Sequence, residues 1–196
     1  MIRSNTGAAA ILAAAFSFLV AGGALGEEVP RKAQPCVACH GPSGNSTDPA
    51  MPSIAGQPAQ FIATSLYMYR EGIRKNMLMS AMASGLSNAD MNELAAYFSR
   101  QRAASPKHRS SPESAAAGAS LAAQHHCIQC HGPALAGLQH IPRLAGQQFA
   151  YLRAQLRGFK ARTRADWDGN MAAAVQALSE SELDILADYL SGLNPP

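Results

Sequence analysis

Charge is scarce and evenly spread. Only 15% of the 196 residues are Asp, Glu, Lys or Arg, and 16 basic against 13 acidic side chains leave a formal net charge of +3. Residues 27–103 carry 7 basic and 6 acidic groups, 104–117 carry 2 and 1, and 118–196 carry 6 and 6. No basic stripe exists, so a nucleic-acid footprint is excluded. No apolar–polar alternation marks a strand, which leaves the chain reading as helical throughout. The length excludes most large multidomain enzymes, while 47% hydrophobic content is that of a folding chain. Cysteine is limited to four residues, and their placement is the most informative feature of the sequence.

The first 26 residues stand apart. Arg3 precedes an apolar run from Ala8 to Val20, and Ala24-Leu25-Gly26 is a small-x-small site before Glu27. This is the layout of a secretory signal peptide over 1–26, which predicts export and a periplasmic location for the folded part. The alternative is a retained N-terminal membrane anchor. About 20 apolar residues are needed to span a bilayer, and this stretch dilutes into Gly and Ala before that.

The rest of the chain repeats itself. PCVACHGPSG (35–44) lies over HCIQCHGPAL (126–135), MPSIAGQPAQFIATSL (51–66) over IPRLAGQQFAYLRAQL (141–156), and LSNADMNELAAYF (86–98) over LSESELDILADYL (178–190). Three blocks in one order define a duplication. It divides the chain into 27–103 and 118–196, joined by a Ser-, Pro- and Ala-rich linker over 104–117. Each unit is small enough to be marginal without a staple.

Ser87-x-x-Asp90 and Ser179-x-x-Glu182 predict helix starts with capping boxes. Behind them Met91, Leu94, Ala95 and Phe98, and Leu183, Leu186, Ala187 and Leu190, keep helical spacing. Pro58 suits the first turn of a helix running to about Arg70, and 118–129 reads as a helix leading into the second cysteine pair. The segment before Cys36 carries Pro30 and Pro35 and is the weakest helix.

Cys36-Val37-Ala38-Cys39-His40 and Cys127-Ile128-Gln129-Cys130-His131 have the spacing of c-type haem attachment. Two thiols one helical turn apart can add to the two vinyl groups of one porphyrin, and the adjacent histidine reaches the iron. A zinc ribbon wants its two pairs 15–20 residues apart. A thioredoxin-like dithiol wants a βαβ setting. Disulfides outside the cytoplasm would not require the histidines. The pattern predicts two covalently attached haem c groups, with Cys36, Cys39, Cys127 and Cys130 as attachment points and His40 and His131 as iron ligands.

The repeat nominates the second axial ligands. Met77, Met79 and Met82 crowd the first copy, but the second has only Met171. The offset of the Leu-Ser blocks places Met171 on Met79, so Met79 and Met171 are the expected ligands under His/Met coordination. Met82 or Met77 remains an alternative, with Met79 as core filler.

These motifs resemble the dihaem class I cytochromes c, and most closely the cytochrome c4 family, over essentially the whole chain after the leader. The likeness is carried by CHG at 39–41 and 130–132, IAGQ and LAGQ at 54–57 and 144–147, Met79 and Met171, and LAAY/LADY at 94–97 and 186–189. It implies an all-α fold of two tandem class I cytochrome c domains. It also implies that the Pro52 and Pro142 carbonyls accept from the haem histidines, and that Ile54 and Leu144 pack on the proximal haem faces. The proline-broken segment before Cys36 departs from the family, which has a longer helix there with a glycine like Gly118.

Other polar residues carry less. His125 and His126 read as plain helix residues, since helix neighbours point apart. His108 reads as a solvated linker residue, His140 as too near His131 to serve as an opposite ligand, and Trp167 as a packing residue. Arg74 and Arg164 read equally as propionate partners or solvated helix ends.

With both irons held by protein ligands, no position is open to substrate. The expected function is single-electron transfer, not catalysis. The leading expectation is a periplasmic carrier between a quinol-oxidising bc-type complex and a terminal haem–copper oxidase, with at most loose association with the inner membrane. A cytochrome subunit of a periplasmic dehydrogenase, oxidising a sulfur compound or an alcohol, is the second reading. A dihaem redox enzyme is the third. The two domains are expected to dock.

Overall fold

The computed structural model describes residues 1–2 and 28–196, so the predicted signal peptide lies, but for its first two residues, outside the described part. In the first half the helices are Gln34–His40 (α1), Ala59–Arg70 (α2), Met77–Ala83 (α3) and Asn88–Arg100 (α4). The second half contains Pro112–Gln124 (α5), Cys127–His131 (α6), Phe149–Lys160 (α7), Asn170–Ala174 (α8) and Glu180–Gly192 (α9). Among the described residues the only bridge is an isolated one between Leu138 and Ile141. No helix among them is long and apolar enough to cross a membrane.

Both capping boxes form. Ser87 Oγ accepts from Asp90 N–H while the Asp90 carboxylate accepts from Ser87 N–H, and Ser179 and Glu182 do the same for α9. The helices they start bury the expected stripes. Leu94, Ala95 and Phe98 of α4 meet Ile62 of α2, and Leu183, Leu186, Ala187 and Leu190 of α9 meet Leu152 and Leu156 of α7. At about 1.5–3 kcal/mol per large apolar side chain, these stripes drive each half to fold. Each repeat loop is then fastened to its last helix: Gly56 N–H donates to Phe98 O and Gly146 N–H to Leu190 O, both at 2.9 Å.

The halves differ at their starts. In the second half, α5 lies along α9, with Gly118 at the closest approach. In the first, a single 3₁₀ turn, Arg31–Ala33, precedes α1. Ala33 is fully buried there, and Lys32 fastens the turn to α4 through Asp90 at 2.5 Å and Glu93 at 2.9 Å.

Three expectations about the connection are corrected. α5 begins at Pro112, inside the stretch read as linker and six residues before the expected start at 118. Ser111 caps it by accepting from Ser114 N–H, and Pro112 tolerates the first turn because its missing N–H would be unpaired anyway. His125 and His126 occupy the turn between α5 and α6 instead of a helix. His108 is not merely solvated: its Nε2 lies 2.6 Å from Asp188 Oδ1, and its ring stacks on Phe149 with centroids 5.2 Å apart.

The halves dock through direct hydrogen bonds. Gln57 Nε2 donates to Arg143 O at 3.0 Å, and Arg143 N–H donates to Gln57 Oε1 at 2.9 Å. Gln147 Nε2 donates to Ser53 O and accepts from Ser53 N–H at Oε1, both at 2.8 Å. Ser53 with Arg143, and Gln57 with Gln147, are equivalent positions of the duplication, so the interface has a local pseudo-two-fold relation. Arg143 adds a bond from its guanidinium to Ala55 O at 2.9 Å. Tyr151 N–H donates to Pro49 O at 3.1 Å, and Gln148 Nε2 to Ser46 O at 2.7 Å.

Candidate functional site

Each Cys-x-x-Cys-His segment is a short helix that ends on its histidine. Gly41 (φ +80) and Gly132 (φ +76) turn the chain out of α1 and α6, and a Cβ on Gly41 would collide with the Asn45 carbonyl. Cys36 and Cys127 are half-buried against their respective cores, whereas Cys39 and Cys130 are exposed. None of the four is in a disulfide. Burial pushes the Cys36 and Cys127 thiols above the ordinary cysteine value. A redox dithiol needs the opposite shift to make its nucleophile. No group of three or more His, Cys, Asp and Glu with metal-site geometry occurs among the described residues.

His40 and His131 are buried, and each ring donates from Nδ1 to a proline carbonyl, Pro52 O and Pro142 O, at 2.8 Å. A carbonyl can only accept, so the bond fixes the Nδ1–H tautomer and leaves Nε2 with the lone pair. Burial, opposed by that same bond, lowers both histidine pKa values, which keeps the rings neutral. A neutral imidazole with Nε2 available is the form that ligates iron.

Met79 is the third residue of α3 and Met171 the second of α8; both are half-buried. Their backbones are held alike. Met79 N–H donates to Asn76 Oδ1 at 2.9 Å, and Met171 N–H to Asp166 Oδ2 at 2.7 Å. Met171 packs against the second core. Met77 and Met82 are exposed, at 92% and 41%.

Three arginines face the interface, and Arg74 lies beside Arg164. Arg74 is buried and donates to Tyr151 Oη and Gln155 Oε1, each at 2.9 Å. Arg143 is buried as well, and burial brings its pKa down to about 10. Arg164, half-buried over the Phe159 ring, is brought down to about 10 by burial and by the Arg74 charge. The Nε atoms of Arg143 and Arg164 have no hydrogen-bond partner among the described residues, and no carboxylate is buried among them. Arg74 is therefore an interface residue, not a solvated helix end. Trp167 is 57% exposed and packs edge-on against Tyr67 from the other half, with centroids 6.1 Å apart.

The residues present fit haem c in both halves. In each half two cysteines precede a neutral, oriented histidine, and the positive charge of Arg74 and Arg164 at the interface suits a cofactor that carries carboxylates. Sequence reasoning missed Gln57, Gln147 and Arg143. The repeat of IAGQ and LAGQ was the available signal for the glutamines.

Fold and donor set together define a class I cytochrome c with two tandem domains. The "Cytochrome c" family model matches residues 115–194, and the model described as "Cytochrome C oxidase, cbb3-type, subunit III" matches 24–98. A cytochrome c4 of Thiocapsa roseopersicina is 36% identical, with 81% of this chain and 87% of that protein covered. A thiosulfate dehydrogenase electron acceptor of Thiomonas intermedia (strain K12) is 34% identical, covering 83% and 80%. Reduced recombinant cytochrome c4 from Pseudomonas stutzeri superposes with a TM-score of 0.76 at 30% identity, over 83% of this chain and 95% of that one. The chain belongs to the cytochrome c4 family. It is a dihaem electron carrier with two covalently bound haem c groups, and not an enzyme.

Proposed function

We propose that Cys36 and Cys39, and Cys127 and Cys130, carry the two haems, and that His40 with Met79 and His131 with Met171 hold the irons. The observation that carries this is the matched pair of buried, neutral histidines bonded from Nδ1 to Pro52 and Pro142. When bound, each haem supplies an iron that takes up or gives up one electron, at a potential raised by methionine sulfur. The chain's own part is to fix the ligands. The proline carbonyls hold ring plane and tautomer, and the Asn76 and Asp166 side chains hold the methionine backbones. Held by a histidine and a methionine of the chain, each iron would offer no position to substrate, as a carrier requires. Arg74 and Arg164 would supply positive charge to the cofactor carboxylates. The domains divide as 27–103 and 118–196 around the connection at 104–117, with the first helix of the second domain reaching back to Pro112.

We further propose that the chain, exported to the periplasm by its leader, carries electrons from a quinol-oxidising bc-type complex to a haem–copper oxidase, at most loosely associated with the inner membrane. A second reading is favoured by the thiosulfate dehydrogenase electron acceptor among its relatives: electrons would then enter from a dehydrogenase that oxidises a sulfur compound. The deciding measurement is stopped-flow reduction of the purified dihaem protein by each donor. Rapid reduction by the bc-type complex and reoxidation by the oxidase are expected. Reduction by thiosulfate dehydrogenase alone would overturn the first reading in favour of the second.

A further inference from the structure

The two interface glutamines end on the peptide groups that hold the haem histidines. His40 Nδ1–H donates to the carbonyl of the Pro52–Ser53 peptide, and the N–H of that same peptide donates to Gln147 Oε1, each at 2.8 Å. The mirror arrangement joins His131 to the Pro142–Arg143 peptide at 2.8 Å and that peptide's N–H to Gln57 Oε1 at 2.9 Å. Gln147 belongs to the second domain and Gln57 to the first, so each chain of bonds crosses the interface. Ser53, Gln57, Arg143 and Gln147 are 2–7% exposed. Water therefore does not replace these bonds while the domains are docked.

A peptide whose N–H is accepted by a neighbour carries more negative charge on its carbonyl, because bonds in a chain polarise one another. A stronger carbonyl acceptor draws the Nδ1 proton further from the imidazole and makes the ring a more basic ligand. A more basic ligand favours ferric over ferrous iron. We propose that Gln147 and Gln57 are positioning residues acting across the interface, each setting the ligand basicity of the histidine in the opposite domain. Docking then fixes both reduction potentials, and neither is a property of one domain alone. This inference rests on His40 and His131 being the iron ligands.

The test uses the full-length dihaem protein. Haem methyl resonances assigned to each domain are followed through a redox titration of the wild type, Gln147→Met and Gln57→Met. Gln147→Met should shift the first-domain equilibrium towards ferrous iron by about threefold, which is about 28 mV at 59 mV per decade for one electron. Its own domain should stay in place. Gln57→Met should do the reverse. A shift of the same-domain haem, of both haems equally or of neither overturns the proposal.

Since methionine could also loosen the interface, Gln147→Glu provides a second arm that keeps the acceptor. In the fully reduced protein the His40 Nδ1–H proton should move downfield in Gln147→Glu and upfield in Gln147→Met, with His131 unchanged. An unmoved His40 signal, or movement at His131 instead, overturns the proposal. Failure of the ligation itself would show differently: the wild-type spectrum would then lack haem ring-current shifts at His40 and His131.

Discussion

Gly118 and Tyr189 are in direct contact where α5 crosses α9. A Cβ on the glycine would fall within 2.7 Å of Tyr189 Cγ, nearer still to its Cβ, and 3.2 Å from Ile185 O. Helices cross this closely only over a residue without a side chain. Gly118→Val should therefore lower the stability of the second domain by about 1–3 kcal/mol or more. Chemical denaturation followed through the second haem measures this. An unchanged midpoint would show that α5 is free to move away from α9.

Met171→Ala should remove half of the weak charge-transfer absorption of ferric haem bound to methionine sulfur, and should lower one reduction potential. Met82→Ala should leave the band intact, because Met82 is exposed and Met79 occupies the position equivalent to Met171. Full retention of the band in Met171→Ala would sink the ligand assignment.

Asp188 secures the connection to α9. Burial raises its pKa, but hydrogen bonds from Ser114, His108 and Ser110 overcome this and hold it below the ordinary value of 3.8. A depressed carboxylate stabilises the fold above its unfolded pKa, and the benefit is lost as pH falls through the folded one. Asp188→Asn should therefore lower stability at neutral pH and flatten its acid dependence below about pH 4. Thermal melts across pH 2–7 read both effects; parallel curves for wild type and variant would refute the role.

Lys32 is the corresponding fastening of the first domain. Hydrogen bonds with Asp90 and Glu93 raise its pKa from 10.5 to about 12. The contribution is complete below 10.5 and disappears as pH rises through about 12. Both partners are at the surface, so salt screens the pair. Lys32→Met should detach the Arg31–Ala33 turn, detected as faster amide exchange at Ala33, with α9 unaffected. Unchanged exchange would locate the stability of that turn in Ala33 burial alone.

Helices and capping boxes were readable because their signals are local: a Ser with an acidic residue three positions on, then apolar spacing of three and four. The haem motifs were readable for the same reason. The start of α5 was missed because Ser110, Ser111 and Pro112 resemble linker composition, although Ser before Pro is also a helix-start pattern. His108 was misjudged because Phe149 and Asp188, its partners, are distant in sequence. Gln57 and Gln147 stood out only as repeated letters. Their role depends on each meeting a backbone in the other copy, and no period or spacing within one copy records that. Arg143 had even less to mark it, since its equivalent in the first domain is Ser53.

The connection between the domains is pinned at both ends. Asn45 of the first domain donates to Arg102 O at 3.0 Å and accepts from Ala104 N–H at 2.8 Å, while His108 and Ser110 are bound to Asp188 and its backbone. Four peptide units separate Ala104 from His108, a reach of at most about 14 Å when fully extended. A separated pair of domains would thus remain on a very short leash, at an effective concentration in the millimolar range or above. Rejoining is then a local, unimolecular event that is insensitive to dilution, and the pair behaves as one body even when its interface momentarily opens.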